Sequence, residues 1–235
     1  MGTHVCQQAL KLGGDVISVS RSGRPSWLTP SSHPWADSVQ WVQGDALDPE
    51  QQGWGDVLAG ATGVVSTLGT FGTNTEMYTV CGLANMKLMD VAVAAGIPRF
   101  SFISVHDYQF PGGWHTKDFL LKGYFQGKRE AEIHLAKTFP DGGVAIRPGM
   151  IYGTRHAGRM TVPLQLIGAP LAAALKLLPT QSLAEMPIIG AAFVPPVSVT
   201  AVGRAAATAV LDDSVPPGIM DVWTIASKYA SSSSS

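Results

Sequence analysis

Tyr124 and Lys128 stand four residues apart in the segment 121–129, LKGYFQGKR, and Ser104 lies 20 residues before Tyr124, near the end of the apolar run Phe100–Val105. On a helix, positions i and i+4 share a face, so the phenol and the ammonium can address one ligand. A nearby ammonium favours the phenolate, and the spacing therefore predicts a tyrosine of lowered pKa that trades protons with a carbonyl or an alcohol. A hydroxyl at the end of an adjacent strand, Ser104, would hold the reacting oxygen. This is the chemistry of nicotinamide-dependent redox enzymes, provided that the rest of the chain supplies a nucleotide site. The spacing is common enough by composition that the surrounding elements must decide.

Those elements alternate. His4–Leu12 reads as a helix stopped by Gly13 and Gly14, and Asp15–Ser20 as a short buried strand. Val39–Val42 is a second strand, running into Gly44-Asp45-Ala46-Leu47-Asp48, and Gln51–Ala59 a helix. Gly63–Leu68 is a strand, Thr75–Ala95 a long helix ended by Gly96 and Pro98, and Arg99–Val105 the next strand. Tyr124–Thr138 is the helix that carries the motif and Val144–Arg147 the strand after it. Strands separated by helices at these distances predict βαβ units and a parallel sheet. Beyond Gly153 the pattern loosens into apolar helices and Pro-rich loops, with a last helix over Val197–Leu211. The expected organisation is a nucleotide-binding domain over residues 1–153, a small helical substrate lobe over 154–229 and a disordered Ser tail over 230–235.

Of the 235 residues, 46% are hydrophobic and 14% charged, with a formal net charge of −1. That is enough apolar material for one α/β domain with an appended lobe, and it gives no electrostatic reason for a nucleic acid partner. Cys6 and Cys81 fit reduced thiols buried in helices. The histidines His33, His134 and His156 show no metal-ligand spacing, and no metal is expected. No targeting segment is legible, because the amphipathic pattern starts at once, and a mature or shortened form is the expectation. Val162–Leu178 is strongly apolar but interrupted by Pro163 and Pro170 and carries Gln165 and Lys176. It predicts a buried or surface-lying helix rather than a membrane span, with peripheral membrane attachment as the other reading.

In chain order, the segments SVSRSG (18–23), GDALD (44–48), VVSTLG (64–69), CGLANMKLMDVAVAAGIPRFSFISV (81–105), YFQGK (124–128) and RPGMIYG (147–153) resemble the short-chain dehydrogenase/reductase superfamily, in its extended or atypical branch. Within it the chain is most similar to plastid and mitochondrial NAD(P)-binding members. These include one associated with ubiquinone synthesis and, more distantly, the NAD(P)-binding accessory subunit of respiratory complex I. The resemblance implies a Rossmann-type, doubly wound parallel sheet and a dinucleotide cofactor. It maps Gly2 onto the last glycine of a Gly-rich turn, with the pyrophosphate at the N-terminus of the first helix. Gly2 read alone is a flexible start.

At the end of the first visible strand, Ser20, Arg21, Ser22 and Arg24 stand where an NAD enzyme carries an acidic residue. They suit a 2′-phosphate, so NADP(H) is preferred and NAD(H) remains possible. A solvated basic loop is the plainer reading. Asp45 and Ala46 match an adenine-contacting turn, although Asp in a Gly-Asp turn is also ordinary turn chemistry. Ser66 and Gly69 match the strand end beside the cofactor ribose, and Pro148, Gly149 and Ile151 the segment that holds the nicotinamide amide.

The implied catalytic set is Ser104, Tyr124 and Lys128, with Lys128 also on the nicotinamide ribose. Read without the family, Tyr124 is a half-buried helix residue and Lys128 a surface charge. Thr79 stands where many catalytic members carry an asparagine, and Asn85 is expected to tie its helix to a neighbouring strand or loop. His106–Gly123, with Trp114 and His115, reads either as a lid or as a plain surface loop.

One element of the fold is missing from the pattern. A doubly wound domain opens with a strand and a Gly-rich turn, whereas here the first helix begins right after Met1-Gly2. That strand is central in such sheets, so its loss would leave two neighbours without ladder partners. The expectation is a sequence shortened from a longer gene product, the alternative a reorganised sheet that binds dinucleotide poorly. Two functions follow: an NADP(H)-dependent oxidoreductase acting on an apolar carbonyl, alcohol or quinone-like substrate, or a non-catalytic accessory or assembly subunit. The partners implied are the cofactor and an organellar membrane complex or membrane surface, in a chloroplast or mitochondrion.

Overall fold

The computed structural model describes residues 1–48, 54–108, 120–157, 160–163, 172, 175, 179–184 and 190–230. The chain opens with helix α1 (Gly2–Lys11), whose last turn closes through Gly14 N–H to Ala9 O with Gly13 at φ +83°. Strand β1 (Val16–Ser20) follows and pairs in parallel with β2 (Val39–Gln43). Strands β3 (Gly63–Ser66), β4 (Arg99–Ile103) and β5 (Gly143–Ile146) form a second parallel sheet. The helix expected over Gln51–Ala59 is present as a single 3-10 turn, Trp54–Leu58, with residues 49–53 outside the described residues.

Between β3 and β4 the chain is helical from α2 (Asn74–Tyr78) to α3 (Ala84–Ala94), joined by a π-turn over Thr79–Leu83. Thr73 caps α2 with a reciprocal bond to Glu76, which fixes where the helix starts. Helix α4 (Lys122–Thr138) crosses this helix at its π-turn. The crossing is a backbone-to-backbone contact: a Cβ on Gly82 would stand 2.9 Å from Gly127 Cα, and one on Gly127 would stand 2.8 Å from Gly82 N. Only glycine permits that approach, and the pair sets the depth at which Tyr124 and Lys128 are carried.

Beyond Gly153 lie the hairpin of β7 (Thr154–Ala157) and β8 (Met160–Pro163), preceded by the two-residue strand β6 (Ile151–Tyr152), which pairs with β9 (Val197–Ser198). A short helix α5 (Thr180–Ala184) precedes α6 (Val199–Leu211), which starts on a Ser198 cap. Strand β10 (Gly218–Met220) then adds to β5, giving the order β10-β5-β4-β3. The sheet and its helical layer are therefore completed from beyond Gly153: α6 packs on α1 and across β3, β4 and β5. Of the apolar stretch Val162–Leu178, Ala172 and Leu175 are helical and buried, and most of the rest lies outside the described residues. Among the described residues no helix is long and apolar enough to cross a membrane.

Two cores sandwich the four-stranded sheet. On one side Val5 of α1 and Val202, Ala205 and Ala209 of α6 meet Ile103, Val144 and Ile146. On the other, Leu88, Met89 and Ala92 of α3 and Ala131 and Leu135 of α4 meet Phe100 and Phe102. Strands covered on both faces are buried at every position, and so are β4 and β5; GVAI is apolar throughout, while RFSFI buries Arg99 and Ser101 between its apolar residues. The parallel α/β architecture is the Rossmann-type fold expected. Its sheet is divided as the missing element implied: among the described residues β1 pairs with β2 alone and β3 with β4 alone. Every residue of both strands faces one cleft between them. Cys6 and Cys81 are free and buried.

Candidate active site

The cleft between β1 and β3 has a volume of about 2150 Å³. One end is formed by Ser20, Arg21 and Ser22 after β1 and by Asp45, Ala46 and Leu47 after β2. Its middle is lined by Met1, Gly2 and Thr3 at the start of α1 and by Ser66–Gly69 at the end of β3. Phe71, Val105, Tyr124, Gly149, Met150 and Ile151 also line it. Residues from five separate loops that the sequence marked as cofactor contacts thus share one space. Arg24, Lys128 and Pro148 are the exceptions. Arg24 is held in its own loop, paired with Asp37 at 2.7 Å and donating to Leu28 O at 3.3 Å. Pro148 gives its carbonyl to His106 N–H at 2.8 Å, which places Gly149 and its successors at the cleft.

Several of these side chains are already engaged. Ser20 Oγ donates to Gly23 O at 3.0 Å and so shapes the loop that presents Arg21. Asp45 accepts from Leu47 N–H at 3.0 Å, the ordinary role of an aspartate in a turn. Ser66 Oγ donates to Asn85 Oδ1 at 2.6 Å, while Asn85 Nδ2 donates to the carbonyls of Val80 and Cys81 at 3.0 Å each. Asn85, fully buried, ties the long helix to β3 as its position suggested.

Tyr124 stacks on Phe71 with ring centroids 5.2 Å apart and meets Phe125 edge-on at 5.4 Å. Burial pushes its phenol well above the ordinary tyrosine value, with Cys81 and Tyr108 adding to the rise and Arg129 opposing it. The acidified tyrosine expected from the Tyr124–Lys128 spacing is therefore not what the fold produces. Lys128 is 3% exposed, and its Nζ donates to Ile103 O at 2.7 Å and Leu68 O at 2.9 Å and lies 4.6 Å from the Phe102 ring centroid. Burial lowers its pKa to about 8, against the raising influence of Cys81 and Glu132. The ammonium joins the ends of β3 and β4 directly beneath Gly69, where an added Cβ would stand 3.6 Å from Nζ.

Ser104 is 3% exposed and its Oγ has no hydrogen-bond partner, while the next residue, Val105, is the one that faces the cleft. Residues that sequence reasoning passed over are Phe71, Val105 and Glu132, the last on the same helix as the motif. Glu132, four residues after Lys128, was the one with a legible signal. Trp114 and His115 lie outside the described residues.

A family model described as NAD(P)H-binding matches residues 1–164. The chain belongs to the NAD(P)H-binding family. As a member of it, the chain has a nicotinamide dinucleotide as its cofactor. An uncharacterized chloroplastic protein of Arabidopsis thaliana is 41% identical over 219 residues, which are 91% of this chain and 69% of that protein. MIOREX complex component 2 of Saccharomyces cerevisiae is 37% identical over 70 residues, 29% of this chain and 24% of its own length. In fold, the chain matches the Bordetella bronchiseptica enzyme WbmH in complex with NAD+ at a TM-score of 0.60 and 20% identity, over 94% of this chain and 70% of that one. It matches the UDP-glucuronic acid 4-epimerase of Bacillus cereus, in complex with UDP-glucuronic acid and NAD, at a TM-score of 0.60 and 18% identity, over 94% and 73%. These two likenesses concern the fold.

The cleft fits a dinucleotide by its donor set. Backbone N–H groups at the start of α1 and the Arg21 guanidinium supply positive potential. Gly69 leaves open the approach to the Lys128 ammonium, and Gly149–Ile151 offer main-chain groups to an amide. When bound, the nicotinamide supplies or accepts the hydride. With the cofactor in the cleft, these groups would face its phosphates and the apolar side chains would exclude water, while Tyr124 Oη, its pKa raised by burial, holds its proton at neutral pH.

Proposed function

We propose that this protein is an NADP(H)-dependent oxidoreductase of the short-chain dehydrogenase/reductase type, with Tyr124 as its proton donor in the reducing direction. The observation that carries this reading is the single cleft into which α1, the loops after β1 and β2, the end of β3 and the segment 149–151 all open, with Tyr124 among its lining residues. A protonated phenol suits reduction of a carbonyl or a quinone-like oxygen, because the alkoxide formed by hydride addition takes its proton from Oη. Lys128 holds the strand ends at the ribose position and Ser104 supports the wall behind Val105. Arg21 favours the 2′-phosphate of NADP(H), with no acidic side chain on the Ser20–Ser22 turn to repel it. Phe71, Val105, Met150 and Ile151 make the substrate apolar rather than sugar-like.

The test is titration with NADPH and NADH, followed by turnover of apolar carbonyl and quinone substrates by wild type and Tyr124→Phe. NADPH should bind more tightly than NADH, and Tyr124→Phe should lower kcat by about 10²–10⁴-fold with NADPH affinity kept. Unchanged turnover in that variant would refute the mechanism.

A second reading, an accessory subunit of an organellar complex, is supported by the similarity to MIOREX complex component 2. An organellar location accords with the chloroplastic relative. NADPH binding without turnover of any such substrate would favour this second reading.

A further inference from the structure

Behind the cleft lies a cluster of charges that the proposed chemistry does not use. Glu132 and Arg129 of α4 and Arg147, the residue after β5, are all largely buried, with side-chain exposures of 8%, 11% and 18%. Arg147 grips the Glu132 carboxylate with both arms of its fork, Nε to Oε1 at 2.9 Å and Nη2 to Oε2 at 2.6 Å. Arg129 Nη1 donates to the same Oε1 at 2.5 Å, and Arg129 Nη2 donates to Val105 O at 2.6 Å. Asp107, half-exposed, lies at ion-pair distance from both guanidinium groups, 3.7 Å from Arg129 and 3.8 Å from Arg147. The two positive and two negative charges balance.

What this cluster connects is specific. Arg129 reaches the loop after β4 through Val105, and Arg147 leads directly into Pro148–Ile151, the loop after β5. Val105 and Gly149–Ile151 line the cleft, as does Tyr124, eight residues before Glu132 on the same helix. The two loops also meet directly, through His106 N–H to Pro148 O at 2.8 Å. One carboxylate that never reaches the cleft therefore anchors two of its walls to the helix that supplies the phenol. Ser104 lies close enough to Glu132 to favour its ionised form, yet no hydrogen bond closes between them. Burial raises the pKa of Glu132, but the Arg147 hydrogen bonds and the Arg129 charge outweigh it, and the group stays ionised at neutral pH.

We propose that Glu132 is the positioning residue of the nicotinamide end of the cleft, holding the loops 104–108 and 147–151 in register with Tyr124 through Arg129 and Arg147. A neutral residue there would leave two buried guanidinium groups facing each other across a gap with only the rim carboxylate of Asp107 to offset them. The walls would then separate, because each loop is tied to α4 by a charge-assisted bond to that carboxylate or by the arginine it holds. The adenine end, built from the loops after β1 and β2, shares none of these ties.

The test compares wild type with Glu132→Gln and Glu132→Asp by hydrogen exchange and by ligand titration. The idea rests on the dinucleotide reading only for the titration. In Glu132→Gln, amides of segments 104–108 and 147–152 should exchange roughly tenfold faster, the size expected for losing one charge-assisted hydrogen bond, with β1 and β2 unchanged. Glu132→Asp, which keeps the charge, should stay within about threefold of wild type. Binding of NADPH should weaken in Glu132→Gln, while 2′,5′-ADP, the adenine half alone, should bind as in wild type. Arg147→Lys, which keeps a charge but lacks the fork, should loosen 147–152 alone and guards against a variant that fails to fold. Faster exchange spread equally over β1 and β2, or unchanged exchange in both loops, would overturn the proposal, as would equal loss of NADPH and 2′,5′-ADP. If wild type binds neither ligand, the dinucleotide reading falls, and the exchange comparison alone decides the role of Glu132.

Discussion

The four-stranded and two-stranded sheets are made of the same kind of sequence, short apolar strands in parallel, yet they are buried very differently. All five residues of β4 and all four of β5 are buried, whereas none of the five in β1 is, and Ile17 is 44% exposed. The difference lies in the neighbours. Strands β4 and β5 have a hydrogen-bonded partner on each side and a helical layer on each face. Among the described residues strand β1 has one partner, β2, and a cleft on its other side. A strand's apolar content thus says that it belongs inside a sheet, and its flanking elements decide how far inside it goes. In this molecule the same asymmetry divides a well-buried half, which carries Tyr124 and Lys128, from a more exposed half that forms the other end of the cleft.

The largest expected effect tests that division directly. Phe100 in β4 is fully buried and its ring packs 5.2 Å from that of Phe139. Truncating it to Ala removes that contact and leaves a cavity, at a cost of roughly 3–5 kcal/mol. Ile17, in β1, is 44% exposed, and Ile17→Ala should cost about 1 kcal/mol or less, because much of its side chain already meets water. Urea denaturation of the two variants measures both. Equal losses would mean that the two sheets are one cooperative core and that the contrast in burial carries no energetic weight.

The next effect comes from Lys128, which joins β3 to β4 on the cleft side of the well-buried half. Its folded pKa of about 8 lies below the ordinary value of 10.5, so between these pH values the unfolded chain holds a proton that the folded chain does not. Raising the pH through that window therefore favours the folded state. Below about pH 8 both states are protonated, and the full cost of burying the ammonium is present. Wild-type stability relative to Lys128→Met should rise by roughly 3 kcal/mol from pH 8 to 10.5. Chemical denaturation across that range is the measurement. A difference that stays flat with pH would place the ammonium in solvent instead of under Gly69.

Much of this division was legible in the residues. The alternation of strands and helices, the order of the cofactor segments and the break at the start of the sheet all came from local pattern, because turn glycines and apolar runs act over a few residues. The tie from Asn85 to Ser66 was legible too, since a buried amide must find partners. The electrostatics of the site were not. Spacing alone placed an ammonium beside the phenol of Tyr124, but whether it acts there depends on which acceptors the fold brings closer. Those are the carbonyls of Leu68 and Ile103, 60 and 25 residues away in sequence. In the same way, nothing local marks Val105 rather than Ser104 as facing the cleft, because that depends on where β4 ends. Nor does the sequence alone pair Glu132 with Arg147, 15 residues along the chain.

The smallest effect sharpens the comparison from the ligand's side. If the two-stranded half is loose because its cleft edge lacks a neighbour, a dinucleotide lying across the cleft supplies contacts where they are scarcest. At ten times its Kd, NADPH should stabilise the folded chain by about 1.4 kcal/mol. The gain should appear unevenly. Amides of Ser20–Gly23 and Asp45–Leu47 exchange through local openings of low free energy, so they should slow by up to about tenfold. Amides of β4 and β5 exchange only when the whole sheet opens, and they should slow by no more than the global gain. Hydrogen exchange with and without NADPH separates the two cases. Slowing confined to β4, β5 and the loops beside Tyr124 would show that the ligand engages only the well-buried half. The openness of β1 and β2 would then have nothing to do with cofactor binding.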